Sequence, residues 1–357
     1  MKIIIFALPG IGDALMFSPA LRLLRQQFPS ARIELLAMFR GVAEMYERNA
    51  DVDQVHYRDF LSANPFSSFL FLLQLRRQRF DISITVYPSN RWPYTVISFL
   101  VGAKKRVGHD YNHVNVRSLN FLNNLRVHED DAIHNVEENR KLVGLLGVGT
   151  QEPTPPLQVV MNENDQKLAK EWIESNGIGA GELLIGYHTG SALFKNHIHK
   201  RWSVDKFAEL GKLLVENEKA KILLFGGPEE YALNDGIASV IGERSIVVRV
   251  PTLMTSVAIM KRCTAFVTND SGLMHIAAGL RLPIVSIFAY TSPAKTRPWN
   301  TAHKLVRRDL SCSPCFYFSP RHASCIWKED RWRCITHIEV DEVFSAVKHL
   351  LQEVRNP

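Results

Sequence analysis

A chain of 357 residues is longer than one hydrophobic core usually serves, so two domains are expected. Hydrophobic and charged contents of 46% and 22% are those of an ordinary globular protein, and no apolar run approaches the roughly 20 residues that span a bilayer. The net charge of +7 is moderate, and no nucleic-acid-binding module accompanies it, so no nucleic-acid partner is expected.

The chain opens on an apolar, β-branched run at 2–8, followed by Pro9-Gly10-Ile11-Gly12-Asp13 and a helix with apolar residues at Leu15, Met16, Leu21 and Leu24. The run meets this glycine-rich turn without a cleavage-site pattern, so it is not a signal peptide and a cytoplasmic location is expected. The glycines permit a tight turn and close approach to a ligand. Asp13 at the helix mouth is either a helix cap or a group that faces a ligand.

Strands at 32–37, 52–57, 81–86 and 106–108 then alternate with helices at 41–48, 67–78 and 94–101. The polar loop Tyr87-Pro88-Ser89-Asn90-Arg91-Trp92 lies at a strand end. Residues 134–146 have helical periodicity, and 151–156 (QEPTPP) breaks all regular structure and reads as a linker. Two basic clusters, Arg76-Arg77-Gln78-Arg79 and Lys104-Lys105-Arg106, either face an anionic partner or are solvated surface.

Alternation resumes with a helix at 165–176 and a strand at 183–187 ending in His188-Thr189-Gly190-Ser191. An amphipathic helix at 204–216 leads to a strand at 221–225 that ends in Gly226-Gly227-Pro228-Glu229-Glu230. A helix at 231–240, a strand around 246–250 and a helix at 254–263 follow. Residues 265–293 read as a strand, the turn Asn269-Asp270-Ser271-Gly272, a short helix, a stop at Pro283 and a second strand. A βαβ unit this compact puts the turn at the carboxyl end of its strand, where open parallel sheets bind ligands and helix amino ends attract anions. Asp270 and His275 lie in or just beyond it. A purely structural turn does not need a carboxylate, a hydroxyl and an imidazole together.

Such alternation implies an α/β protein with two parallel sheets, helix-covered on both faces. The linker places the domains at 1–156 and 157–339, with a ligand cleft between them. The last helix, in 340–357, is expected to pack back towards the N-terminal domain. Cys312, Cys315, Cys325 and Cys334 follow CxxC-x9-C-x8-C spacing. This spacing suits a zinc site, reduced thiols or disulfides, and the choice stays open.

PGIGDALMFSPALRLLRQQFP, GAKKRVG, HTGS followed by Lys200-Arg201-Trp202, GGPEE, and NDSGLMHIAAG before LPIVSIF resemble glycosyltransferase family 9, the heptosyltransferases of lipopolysaccharide core assembly. CSPCFYF also looks like a segment several members carry. The resemblance runs in order along essentially the whole chain. It implies a GT-B architecture, two Rossmann-like domains facing a central cleft, with the acceptor in the first and the nucleotide-sugar donor in the second. It also implies cofactor-free, metal-independent inverting transfer from ADP-heptose.

Asp13 then matches the family's general base, which takes the acceptor hydroxyl's proton. Lys200 matches its donor-phosphate lysine. Thr189, Gly190, Ser191 and the Ser271 and Gly272 amides are expected on the diphosphate, Asp270 on sugar hydroxyls and Glu230 on ribose. His275 is expected to reach the donor or support Asp270. Gly12, Ser89, Asn90 and Arg91 are the acceptor-side candidates. Ser271 stands where Thr is commoner, and the segment 191–199, with Lys195, His197 and His199, is longer than in simple members.

A lipopolysaccharide-type acceptor is lipid-anchored, so peripheral contact with anionic membrane is expected, through the basic clusters and Phe66, Phe69, Phe71 and Trp92; the protein is expected to be a monomer. Rival readings are a family 9 enzyme with another nucleotide sugar and glycan, a dinucleotide-dependent oxidoreductase, and a thiolate–metal module. GxGxxG is absent and Asp13 would repel a pyrophosphate, which disfavours the second. The third leaves two-thirds of the chain unexplained.

Overall fold

The computed structural model describes residues 1–149, 153–192, 194–317 and 322–355. Gln151 and Glu152 of the expected linker, and the side chain of Lys195, lie outside what is described. The chain divides into two compact units, Met1–Val160 and a second from Met161 onward.

The first unit runs β1 (Lys2–Ala7), α1 (Ile11–Leu15), α2 (Ser18–Gln27), β2 (Arg32–Ala37), α3 (Arg40–Tyr46), β3 (Gln54–Tyr57), α4 (Pro65–Arg77), β4 (Ile82–Thr85), α5 (Trp92–Val101), β5 (Lys105–Asp110), β6 (Leu125–His128) and α6 (Asn135–Gly144). Its strands form one parallel sheet in the order β3-β2-β1-β4-β5-β6. Ile3, Ile4, Ile5 and Phe6 of central β1 are fully buried, as expected of a strand paired on both edges and covered on both faces. The helix expected after Asp13 is two helices, because Pro19 lacks the N–H a continuing helix needs and instead sits in the first turn of α2. Residues 157–160 stay with this unit rather than the next: Leu157 is buried and the Gln158 N–H donates to Ser18 Oγ at 2.9 Å.

The second unit runs α7 (Glu163–Ser175), β7 (Leu184–His188), α8 (Val204–Glu218), β8 (Lys221–Phe225), α9 (Tyr231–Ile241), β9 (Ser245–Val247), α10 (Leu253–Met260), β10 (Ala265–Asn269), α11 (Gly272–Gly279), β11 (Ile284–Phe288), α12 (Pro293–Thr296), β12 (His303–Arg307), α13 (Arg333–Thr336) and α14 (Val340–Arg355). Its parallel sheet has the order β12-β11-β10-β7-β8-β9. Turns of 3₁₀ helix at Phe194–Lys200 and Pro228–Glu230 follow β7 and β8.

α14 is the helix expected to pack back towards the N-terminal domain. Its apolar stripe, Val340, Val343, Val347, Leu350 and Leu351, is buried within the second unit against α8 and the β10–β12 side of the sheet. Among the described residues, no helix is long and apolar enough to cross a membrane.

Candidate functional site

In each sheet the strand order reverses once, and the connections leaving the two strands at that point diverge to open a crevice at their carboxyl ends. In the first unit the reversal falls between β1 and β4. The loops there are 8–10, leading to Asp13, and 86–91. The acceptor-side candidates Ser89, Asn90 and Arg91 lie in the second of these loops, and Gly12 lies in α1 just after the first.

Asp13 is half-buried on α1, and Gly12 beside it is buried. The Asp13 charge reaches both Tyr94 and Tyr111. Burial chiefly raises the Tyr94 phenol above its ordinary value, Arg91 opposes this, and Asp13 adds to it. Tyr111 in turn accepts the Ser89 N–H at 2.6 Å and stacks on Tyr87, with ring centroids 5.8 Å apart. Ser89 Oγ donates to the Val86 carbonyl, and the Asn90 carbonyl accepts from Ser118 Oγ at 2.7 Å. Ser89 and Asn90 therefore build the loop, while half-exposed Arg91 offers it a cation. Neither tyrosine stood out in the sequence.

In the second unit the reversal falls between β7 and β10, flanked by 188–191 and 269–272. Asn269 ties these loops together. Its Nδ2 donates to the Thr189 carbonyl at 2.8 Å and its Oδ1 accepts the Trp202 N–H at 2.9 Å. Trp202 follows Lys200 closely, so this bond draws Lys200 to Asp270. Lys200 Nζ lies 3.0 Å from Asp270 Oδ2, with both residues buried. Burial opposes the Asp270 charge, but the charge and hydrogen bond of Lys200, with help from His275 and Thr291, hold the carboxyl below its ordinary range.

Ser271 caps α11, its Oγ accepting the Met274 N–H at 3.4 Å. The other N–H groups of that first turn, beginning at Gly272, have no helix carbonyl to meet and can take an anion. His275, one turn on, is buried. Its Nδ1 is a buried nitrogen without a hydrogen-bond partner, so it can take one from a ligand.

His188, at the end of β7, joins two of the candidates. Its Nδ1 is 2.8 Å from Ser271 Oγ and its Nε2 3.1 Å from Glu230 Oε2. Glu230 Oε2 also accepts the Gly227 N–H at 3.2 Å, and Arg201 lies 3.5 Å from Oε1. Burial disfavours this carboxylate's charge, but His188, the Gly227 N–H and Arg201 together keep its pKa below the ordinary value. Gly190 is required by close approach: a Cβ there would lie 1.4 Å from Glu230 Oε1. Neither His188 nor Arg201 was given a role by the sequence, although both sit in motifs it singled out.

Two expected diphosphate donors are otherwise engaged. Thr189 Oγ1 donates to Asn234 Oδ1 at 2.8 Å, and Ser191 Oγ donates to the His197 carbonyl at 2.8 Å. Their hydroxyls brace the turn rather than face outward as donors. His197 reaches Tyr290 Oη at 3.1 Å, and His199 stacks on Trp332 at 4.4 Å.

The zinc candidate gains no ligand set. Cys312, Cys315, Cys325 and Cys334 are free thiols lining one hollow with Tyr290, Trp327 and Trp332. Among the described residues, no three His, Cys, Asp or Glu side chains are grouped to hold a metal ion. Burial first, then the neighbouring thiols, pushes Cys334 up to about 11.

Two predictions arise here. His188→Phe removes the partner shared by Ser271 and Glu230 and should raise the dissociation constant for a nucleoside diphosphate about tenfold, the effect of one lost hydrogen bond. Calorimetry showing unchanged affinity would remove His188 from the site. The second concerns pH. Burial holds His275 down to about 4, with Asp270 opposing and Lys200 assisting. An unfolded histidine protonates below about 6.5, so between these values the unfolded chain binds more protons and stability falls as pH falls. The depressed Asp270 acts in the same direction: its contribution is present above its unfolded pKa and is lost as pH falls through the folded one. Urea midpoints should therefore decline on acidification from about 6.5, and less steeply in His275→Gln. Identical slopes would mean that His275 is not held neutral.

A family model described as glycosyltransferase family 9 (heptosyltransferase) matches residues 70–323. The chain is 26% identical to lipooligosaccharide heptosyltransferase 2 of Campylobacter jejuni, over 99% of each. It is 27% identical to lipopolysaccharide heptosyltransferase 2 of Salmonella typhimurium, over 86% of this chain and 88% of that one. Its fold is similar to the solved structure of Escherichia coli ADP-heptose lps heptosyltransferase II, with a TM-score of 0.76, 21% identity and coverage of 99% and 100%. A glycosyltransferase family 9 structure from Veillonella parvula is similar at a TM-score of 0.78, with 21% identity over 99% of this chain and 97% of that one.

Proposed function

The chain belongs to glycosyltransferase family 9, and from that premise we propose that it transfers heptose from ADP-heptose to a lipopolysaccharide core acceptor, with inversion at the anomeric carbon. The observation that carries this reading is the buried Lys200–Asp270 pair beside the amino end of α11. A cation and free helix N–H groups suit a diphosphate, while an adjacent carboxylate suits sugar hydroxyls.

In this mechanism the second unit holds the donor. Lys200 and the first turn of α11 take the diphosphate and stabilise the negative charge that grows on it as the glycosidic bond breaks. Asp270 accepts hydrogen bonds from the sugar, Glu230 from ribose, and His275 Nδ1 from a donor hydroxyl. The acceptor is held in the first unit, where Arg91 and the 88–91 loop orient it. Asp13 removes the proton of the attacking hydroxyl, which displaces the diphosphate from the opposite face. No step uses a metal or cofactor. The acceptor is lipid-anchored, so the enzyme works peripherally, at the inner face of the cytoplasmic membrane.

Calorimetry against ADP-, UDP-, GDP- and CMP-sugars and NAD tests the donor. ADP-heptose should bind tightest. Preference for another nucleotide sugar would keep the family and change the substrate, and binding of NAD alone would overturn the reading.

A further inference from the structure

We propose that Tyr111 is a positioning residue of the transfer reaction: from the connection between β5 and β6, its phenol oxygen holds the 88–91 loop where that loop presents the acceptor hydroxyl to Asp13. This rests on the reading above, in which the loop orients the acceptor and Asp13 takes its proton.

β4, β5 and β6 are parallel neighbours, so the chain leaving β5 runs beside the loop leaving β4, at the same edge of the sheet. The β5–β6 connection, 111–124, fastens that loop from outside. Tyr111 Oη accepts the Ser89 N–H at 2.6 Å, and Ser118 Oγ donates to the Asn90 carbonyl at 2.7 Å. A third tie passes through Glu129, which accepts from Tyr87 Oη on one oxygen and from the Asn112 N–H, at 3.0 Å, on the other. On the far side of the loop, Thr95 Oγ1 of α5 donates to Asn120 Oδ1 at 3.2 Å. The connection is itself braced, because Asn115 Oδ1 accepts both the Tyr111 N–H and Asn120 Nδ2 at 2.9 Å.

The packing behind the loop is polar. Tyr87, His109, Tyr111, Asn135, Glu138 and Asn139 are all buried. His109 Nε2 lies 2.7 Å from Glu138 Oε2, and its ring stands 4.7 Å from Tyr87 and 5.8 Å from Tyr111. The Tyr87 N–H donates to Asn139 Oδ1 at 2.9 Å. Apolar side chains would carry a loop here at a smaller desolvation cost. What hydrogen bonds add is a single fixed arrangement, where apolar surfaces tolerate sliding. Tyr111 stands out among the tying groups because it meets the loop while the Asp13 charge reaches its phenol. One side chain thus relates the loop to the base.

Tyr111→Phe tests this, since the ring keeps its place against Tyr87 and His109 while the buried Ser89 N–H loses its acceptor. Amide exchange across residues 86–91, followed by mass spectrometry, should quicken at least about tenfold. Turnover should fall roughly ten- to a hundredfold, the upper figure being about what a 1 Å misplacement costs. Acceptor KM should rise less than about threefold, as expected of an interaction that serves the transition state, and ADP affinity should not change. Ser118→Ala cuts the second tie and should lower turnover in the same direction but less; it carries the test if Tyr111→Phe does not fold. A merely structural tyrosine would lower the urea midpoint and leave turnover per folded molecule intact. Wild-type turnover in the folded variants, with or without faster exchange, would overturn the proposal, as would parallel losses of turnover and ADP affinity. Failure of the enzymatic reading looks different: the wild type itself would transfer no heptose, and the role proposed for Tyr111 would fall with it.

Discussion

Asp13→Asn is expected to lower turnover at least a hundredfold, about the smallest effect of removing a general base from the attacking group, while donor affinity stays within about threefold of the wild type. The two amide atoms replace the two oxygens in nearly the same volume, so α1 and its contacts should survive. What disappears is the carboxylate's charge and basicity, which the attacking hydroxyl needs to lose its proton. The donor candidates lie on residues 188–275 of the second unit, so the nucleotide should not register the change. Acceptor KM should move little, because the lost interaction belongs to the transition state rather than the ground state. Steady-state kinetics beside calorimetry with ADP separate the two effects. Near-normal turnover would end the assignment, and would point to Asp13 as a first-turn carboxylate that only favours the helix dipole.

The sequence makes the β10–α11–β11 unit legible because each element is short, apolar and punctuated. β10 and β11 are fully buried, and Pro283 separates helix from strand. β6 and β12 went unread for the opposite reason. LRVH and HKLVR are short, partly exposed edge strands that carry charge; the first alternates over only four residues and the second not at all. Strand order was equally hidden. Alternating strands and helices imply a parallel sheet, but they do not say that β7 lies between β10 and β8.

That placement explains why some site residues could be found and others could not. Asp270, Ser271 and His275 lie within one helical turn of a strand end, so their concentration is visible locally. His188 matters because β7 is central: it meets Ser271 from β10 on one side and Glu230 after β8 on the other. Those partners are 83 and 42 residues away. Likewise, Thr189 loses its free hydroxyl to Asn234, 45 residues on. The cysteine spacing allowed a metal site, but spacing alone does not say that the four thiols line one hollow with Tyr290 and Trp332.

Lys200→Ala should weaken nucleoside-diphosphate binding by about 1.5–3 kcal/mol, the range for a hydrogen bond to a charged group. The ion pair with Asp270 argues for the upper part of that range. Removing the lysine takes a cation from the diphosphate and also leaves a buried carboxylate with its charge uncompensated beside it. Burial, no longer opposed by Lys200, should then push the Asp270 carboxyl upward. As pH falls through that raised value Asp270 becomes neutral and its repulsion of the phosphates is lifted. The variant should therefore bind better as pH decreases over a range where the wild type does not. Lys200→Ala/Asp270→Asn should bind a diphosphate better than Lys200→Ala alone, since contacting residues do not contribute additively. Adenosine, which has no phosphate, should be nearly indifferent to either change. Equal losses for adenosine and ADP would show that Lys200 supports the turn without touching the diphosphate, and a double variant no better than the single would show that Asp270 does not face it.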